Sequence, residues 1–373
     1  MADRVVFLSN HVYQSRRRAG FHELAGAFAK GGWQVDFVTT GISYLSILRG
    51  DRRLQSLARA DFNTTVVAPD GVNSHAWVPL VHPVRTHRLT EKLEGLAFGH
   101  YGRRPSAALE DILTGADIVV FESNPSLFLF DAVKRIAPAA RTVYRISDDV
   151  RVIPMTELIR RKEDEVIAGF DLLSVPSSIM LSGRFSRHRN ARHHPHGIAD
   201  SLIEGTLGDP FASRDVPKVV SVGSTLFDHG FLRISVETRP DLEFHVVGDI
   251  PDLTRIKAPH VVYHGEVPFL QAAAYSAHAD IAIAAYDLRP GSEYLAETSN
   301  KLIQYTHFRK RVIAPRSSAE RLKCPNIVPY DANDPVSIAR SYEAAMALDP
   351  TTFDLPSQPR WTDVRDMIVS GVA

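Results

Sequence analysis

Two neighbouring carboxylates, Asp148 and Asp149, follow a β-branched run from Arg141 to Ile146. A carboxylate just past a buried strand can face a ligand cleft and take a proton as a general base. The same residue type in the same place also caps helices. Adjacent side chains point apart, so one of the pair can cap while the other meets a substrate. Other polar residues stand after strand-like runs in the same way: Gly223-Ser224-Thr225 after Val222, Glu266 after Gly265, Tyr286 after Ala285, and Ser299, Lys301 and Gln304 in the helical stretch beyond. Open parallel sheets bind ligands beyond the carboxyl ends of their strands, and that rule selects this set. Gly223-Ser224 is a small-residue turn that lets backbone N–H groups approach a phosphate at a helix N-terminus. Lys301 either neutralises a diphosphate or is an ordinary solvated lysine.

Several chemistries are disfavoured. The chain has neither G-x-G-x-x-G nor G-x-x-x-x-G-K-[ST], which argues against a dinucleotide dehydrogenase and a P-loop NTPase. His188, His193, His194 and His196 lack the i, i+4 spacing of a helical zinc site, so they read as a basic loop and no metal is expected. The single cysteine, Cys324, sits in Lys-Cys-Pro-Asn with no evident base beside it, and it excludes an internal disulfide.

The elements that must position these residues alternate. Strands are predicted at Arg4–Ser9, Gln34–Thr39, Thr64–Ala68, Asp117–Phe121 and Arg141–Ile146, with helices through Phe21–Phe28 and Leu127–Ile136. Gly31-Gly32 stops the first helix. The pattern lapses over 184–217, where the domain junction falls. It then restarts with strands at Lys218–Val222, Leu242–Val247, His260–His264, Asp280–Ala285 and Arg311–Ala314. Helices are predicted after Phe227, at Phe269–Ala277, at Tyr294–Tyr305 and at Pro335–Leu348. Pro356–Pro359 leads into a last segment, Trp361–Val369, able to dock back on the first domain. Strand–helix alternation means α/β, doubly wound, in two Rossmann-like halves.

Composition agrees with a folded protein: 373 residues, 44% apolar and 23% charged, with 43 basic against 43 acidic residues. Zero net charge argues against a general nucleic-acid binder. No apolar run reaches the roughly 20 residues of a membrane span, and the N-terminus reads as a strand rather than a signal peptide. These features suggest a cytosolic protein. Residues 1–105 nevertheless carry 14 Lys and Arg against 8 Asp and Glu. Such an excess suits an anionic partner for that half, or is a solvated surface. Leu89, Leu93, Leu96, Phe98 and Tyr101, beside Arg103-Arg104, form a candidate interfacial helix over 89–101, whose other reading is an ordinary amphipathic core helix.

Two Rossmann halves with the phosphate loop in the second resemble the GT-B glycosyltransferases. More narrowly the chain is similar to the GumK-type, membrane-associated glucuronosyltransferases of xanthan assembly. The resemblance rests on Arg17-Arg18-Ala19, Asp117-Ile118-Val119-Val120-Phe121-Glu122-Ser123, Pro138-Ala139-Ala140 and Val143-Tyr144-Arg145-Ile146-Ser147-Asp148. It continues through His196-Gly197, Val222-Gly223-Ser224, Leu226-Phe227-Asp228, Gly265-Glu266 and Ser299-Asn300-Lys301-Leu302-Ile303-Gln304-Tyr305. It implies metal-independent, inverting transfer of glucuronate from UDP-glucuronate to a mannose-terminated oligosaccharide on a polyprenyl diphosphate. The enzyme would lie at the cytoplasmic face of the inner membrane, on an anionic surface, with no cofactor.

By the same resemblance Asp148 is the base, and Ser224, Glu266, Tyr286, Ser299, Lys301 and Gln304 line the UDP site with Gly223. Arg17 approaches the donor sugar, and Arg17 or Arg18 would grip its carboxylate, since an arginine fork matches one bidentately. Thr225, Val267 and Asn300 stand where that family shows methionines, beside the nucleotide. Asp149 replaces a glycine and adds charge next to the base, which would raise its pKa. The domains implied are 1–195, facing acceptor and membrane, 196–355, binding the nucleotide sugar, and 356–373, returning to the first across a central cleft between the two. Another UDP-sugar as donor, a two-Rossmann UDP-sugar epimerase, and a non-catalytic nucleotide-sugar sensor are the other readings.

Overall fold

The computed structural model describes residues 3–16, 18–83, 101–103, 105–153 and 155–373. The chain divides into two compact units, Met1–Pro195 with Trp361–Ala373, and His196–Arg360.

The first unit holds strands β1 (Arg4–Ser9), β2 (Gln34–Thr39), β3 (Thr65–Val67), β4 (Asn73–Ala76), β5 (Ile118–Glu122), β6 (Arg141–Arg145), β7 (Leu172–Val175) and β8 (Ala191–His193). They lie in the order β3-β4-β2-β1-β5-β6-β7-β8, parallel throughout except β3 against β4. The order reverses direction between β1 and β5. Val5 to Leu8 and Val119 to Phe121 are buried on both faces of the sheet, which is why these strands read as unbroken apolar runs. Helix Gly20–Lys30 packs on the sheet through Phe21 and Phe28, each edge-on to Phe7 at 5.5 Å between ring centres. Gly31 caps that helix and Gly32, at φ +82°, turns the chain out of it.

The last helix, Trp361–Val372, belongs to this unit: Arg365 donates to the Ala27 carbonyl at 2.8 Å and Trp361 lies against Gly20. A Cβ on Gly20 would come within 2.7 Å of the indole, so only glycine admits the contact.

The second unit carries β9 (Lys218–Val222), β10 (Glu243–Val247), β11 (Val261–Gly265), β12 (Ile281–Ile283), β13 (Arg311–Pro315) and β14 (Ile327–Tyr330). All are parallel, in the order β11-β10-β9-β12-β13-β14, with the reversal between β9 and β12. Helices His229–Thr238 and Pro335–Ala347 cover one face, burying Phe231, Leu232, Ile338 and Tyr342 with Phe244 and Val246 of the sheet.

Two expectations change in detail. The helix predicted over Tyr294–Tyr305 is two helices, Leu295–Thr298 and Asn300–His307. Ser299 breaks it, because its extended backbone lets its hydroxyl cap the second helix by accepting from the Leu302 N–H at 3.2 Å. The segment 184–217, read as a junction throughout, contains β8 and a short helix, Asp200–Glu204, and the units part at 195/196.

Candidate active site

In the first unit the strand-end carboxylates separate by role. The Asp148 backbone N–H donates to Ser123 Oγ at 3.0 Å, which ties its loop to the exit of β5. Asp149 turns inward: its carboxylate accepts from Arg184 at 2.7 Å and from the Arg151 N–H at 2.9 Å. Arg184 also bonds Glu163, whose other oxygen accepts from the Tyr144 hydroxyl at 2.6 Å. Arg184 thus compensates the charge of Asp149. Burial pushes Glu163 up, and the guanidinium pulls it back.

Beside Asp148 stands a residue the sequence reading passed over. Glu122 ends β5 at the reversal between β1 and β5, and it is buried. It accepts from the Ser9 hydroxyl at 2.6 Å, the Asn124 amide at 2.7 Å and the Asn10 N–H at 3.3 Å. Its second oxygen faces His11 Nε2 at 3.5 Å. Against the burial that would raise it, His11 and these donors hold the carboxyl down at about 2. The only sequence signal was an acidic residue closing an apolar strand.

The arginine expectations fare differently. Arg17 lies outside the described residues. Arg18 is engaged internally, with Glu23 at 3.0 Å, Asp70 at 3.9 Å and the Tyr13 ring beneath its guanidinium at 5.0 Å, so it is not held out towards a ligand. Of the segment 89–101, residues 89–100 fall outside the described residues. Tyr101 is buried against Trp77, its hydroxyl bonded to the Thr40 carbonyl, and so takes a core position rather than an interfacial one.

In the second unit three glycines close adjacent strands: Gly223 after β9 (φ +87°), Gly248 after β10 (φ +145°) and Gly265 ending β11 (φ +66°). Gly223 N–H donates to Val247 and Gly248 N–H to Gly265, at 2.7 and 2.8 Å. A Cβ on Gly248 would sit 3.2 Å from the Gly223 carbonyl carbon, a tight approach that glycine relieves. Ser224 is half-buried here, and Thr225 and Glu266 are exposed, with Val267 half-buried beside them. The helix beyond Gly223-Ser224 begins only at His229, and the Asp228 carboxylate already caps it by accepting from Phe231 N–H at 2.9 Å. That N-terminus is therefore not the phosphate site expected from the glycine turn.

The cationic alternative is better built. Tyr286, held by a bridge to Phe227, shares a hydrogen bond with Ser299. As the second residue of the helix Asn300–His307, Lys301 places its ammonium 4.4 Å from the Tyr286 ring centre. That nitrogen is buried and has no hydrogen-bond partner among the described residues. Burial lowers its pKa to about 8. On the same helix face Tyr305 reaches β9, its hydroxyl accepting from Val222 N–H at 2.9 Å. Gln304 is half-buried and Asn300 exposed on this helix. A buried ammonium with no hydrogen-bond partner is able to receive an anion such as a diphosphate.

The histidines go elsewhere. His194 bonds Ser174 Oγ at 3.1 Å and His196 the Thr298 carbonyl at 3.0 Å. Among the described residues no cluster of histidine, cysteine or carboxylate has the arrangement of a metal site. Cys324 is half-buried and its thiol is pushed up, against a nucleophilic role.

Solved glycosyltransferases superpose on this chain along nearly its whole length. The α,α-trehalose 6-phosphate synthase of Burkholderia multivorans superposes over 100% of this chain and 96% of its own, with a TM-score of 0.60 at 10% identity. AviGT4, a glycosyltransferase involved in avilamycin A biosynthesis, gives 0.51 at 12% identity over 99% of this chain and 96% of its own. The fold is GT-B.

Sequence carries the assignment further. Residues 7–176 match the family described as glucuronosyltransferase GumK, N-terminal domain. The UDP-glucuronate:glycolipid 2-beta-glucuronosyltransferase of Xanthomonas campestris pv. campestris is 33% identical over 311 residues, which are 83% of this chain and 76% of that protein. The chain belongs to the GumK glucuronosyltransferase family.

Proposed function

We propose that this glycosyltransferase moves glucuronate from UDP-glucuronate to a glycolipid, an oligosaccharide on polyprenyl diphosphate, with inversion at the anomeric carbon. The buried ammonium of Lys301 beside Tyr286 and Ser299 is the observation that carries the reading. A lone cation in a low-dielectric pocket is costly unless an anion meets it, and a nucleoside diphosphate supplies that anion. The matching donor and acceptor in the Xanthomonas relative's name support the same choice.

In this reading the second unit holds the nucleotide and the first supplies the base. Asp148 takes the proton of the acceptor hydroxyl as its oxygen forms the new bond to the anomeric carbon. The bond from that carbon to the β-phosphate oxygen breaks, and its electron pair leaves with UDP. Lys301 meets the charge that develops there, the role a divalent ion would otherwise fill, so no metal is required. Thr225, Val267 and Asn300 line the nucleotide side together with Gly223, Ser224, Glu266 and Gln304. The basic first unit suits an anionic membrane surface on the side where the acceptor is presented. Incubation with labelled UDP-glucuronate, with and without the lipid-linked acceptor, tests the proposal: label enters lipid only when acceptor is present. Isomerised free UDP-sugar would instead indicate an epimerase, and binding without turnover a sensor.

A further inference from the structure

We infer that His11, oriented by Glu122, binds the acceptor by accepting a hydrogen bond from one of its hydroxyls. The inference rests on the reading of the first unit as the acceptor side.

The placement comes from topology. His11 follows β1 by two residues and Glu122 ends β5, so the pair straddles the reversal of strand order, at the carboxyl edge where open α/β sheets take ligands. Asp148 shares this edge through the bond of its N–H to Ser123, the residue after Glu122.

The chemistry comes from the environment. Oε2 of Glu122 is saturated by Ser9, Asn10 and Asn124, and Oε1 faces His11 Nε2. A carboxylate fixes a proton on the imidazole nitrogen that faces it, leaving the other nitrogen as an acceptor. Nδ1 of His11 has no hydrogen-bond partner among the described residues, and the Thr39 hydroxyl anchors the His11 carbonyl at 2.8 Å. The His11 side chain is 35% exposed, whereas that of Glu122 is 8% exposed. A pair serving only the fold would have its imidazole enclosed. Instead one nitrogen faces the buried carboxylate while the ring as a whole stays partly open to solvent. His22 also faces the ring, 5.3 Å away, and is itself kept neutral by burial.

The test uses the full-length enzyme with UDP-glucuronate and a mannose-terminated oligosaccharide on polyprenyl diphosphate. His11→Ala is expected to raise the acceptor KM by about 3- to 10-fold, the range of one lost neutral hydrogen bond, and to leave the donor KM unchanged. His11→Asn, whose amide oxygen can stand near the Nδ1 position, should restore part of the affinity. Glu122→Gln should weaken acceptor binding while nitrogen-resolved NMR shows that Nε2 no longer holds the proton exclusively. An unchanged acceptor KM in a folded His11→Ala overturns the inference, as does a rise in donor KM alone. Failure of the wild type to label lipid overturns the functional reading instead, so the two failures are distinguishable.

Discussion

Lys301 holds its ammonium 4.4 Å from the ring centre of Tyr286, buried and with no hydrogen-bond partner among the described residues. Its pKa, lowered to about 8 from 10.5, means the unfolded chain binds this proton more tightly than the folded one. The ligand-free fold therefore gains stability from this group as pH rises from about 8 towards 10.5. Lys301→Met should raise the melting temperature of the ligand-free protein and weaken UDP binding by about 10- to 100-fold, the worth of a charge-assisted contact. Calorimetry of UDP binding to the wild type near pH 8.5, in buffers of different ionisation enthalpy, should show proton uptake that the variant lacks.

Glu122 makes the opposite contribution. Its folded pKa of about 2 lies below the ordinary 4.5, so its stabilisation is complete above the unfolded value and is lost as pH falls from about 4.5 to 2. By linkage the whole effect is about 3 kcal/mol. Urea denaturation at stepped pH should show a steep acid limb in the wild type and a shallower one in Glu122→Gln.

Asp149 should prove a structural partner. Removing its charge leaves Arg184 with Glu163 and the more distant Asp164, and Asp149→Asn should cost about 1–2 kcal/mol of stability while kcat stays within a few-fold of wild type. Asp148→Asn should do the reverse, cutting kcat by about 10²- to 10⁴-fold with little change in melting temperature or UDP affinity. Parallel denaturation and steady-state rates on the two variants check both halves.

The basic first unit should bind vesicles containing anionic lipid at low ionic strength. It should release them as salt approaches 1 M, where screening falls to about 3 Å. Part of the excess is already spent internally, since Arg4, Arg18 and Arg53 pair with Asp36, Glu23 and Asp51. Co-sedimentation across a salt series measures the remainder; no binding at low salt would contradict a peripheral membrane role.

The parallel sheets were legible because their central strands are buried on both faces, which leaves an apolar run that periodicity reveals. Strands β4 and β8 were not, and neither was the buried β7, whereas the edge strand β3 was. β4 reads Asn-Ser-His-Ala, and β8 exposes Arg192 and His193 at the sheet edge, so neither shows a pattern distinct from a loop. Lys301 and Ser299 could be selected by the rule for strand ends, but the break at Ser299 depends on a cap that local sequence leaves open. The partnerships of Asp149 with Arg184 and of Glu122 with His11 join residues 35 and 111 positions apart, which no local pattern encodes. Only the folded sheet brings them together.

The most direct measurement follows radiolabel from UDP-glucuronate into lipid-linked oligosaccharide, in EDTA, for the wild type, Asp148→Asn and Lys301→Met. Wild-type enzyme should label the lipid without added metal, with the new linkage inverted. Asp148→Asn should bind UDP normally and transfer almost nothing, and Lys301→Met should fail chiefly at low donor concentration. Label that never enters lipid, or transfer that survives in Asp148→Asn at the wild-type rate, would contradict the assignment of donor, acceptor and base together.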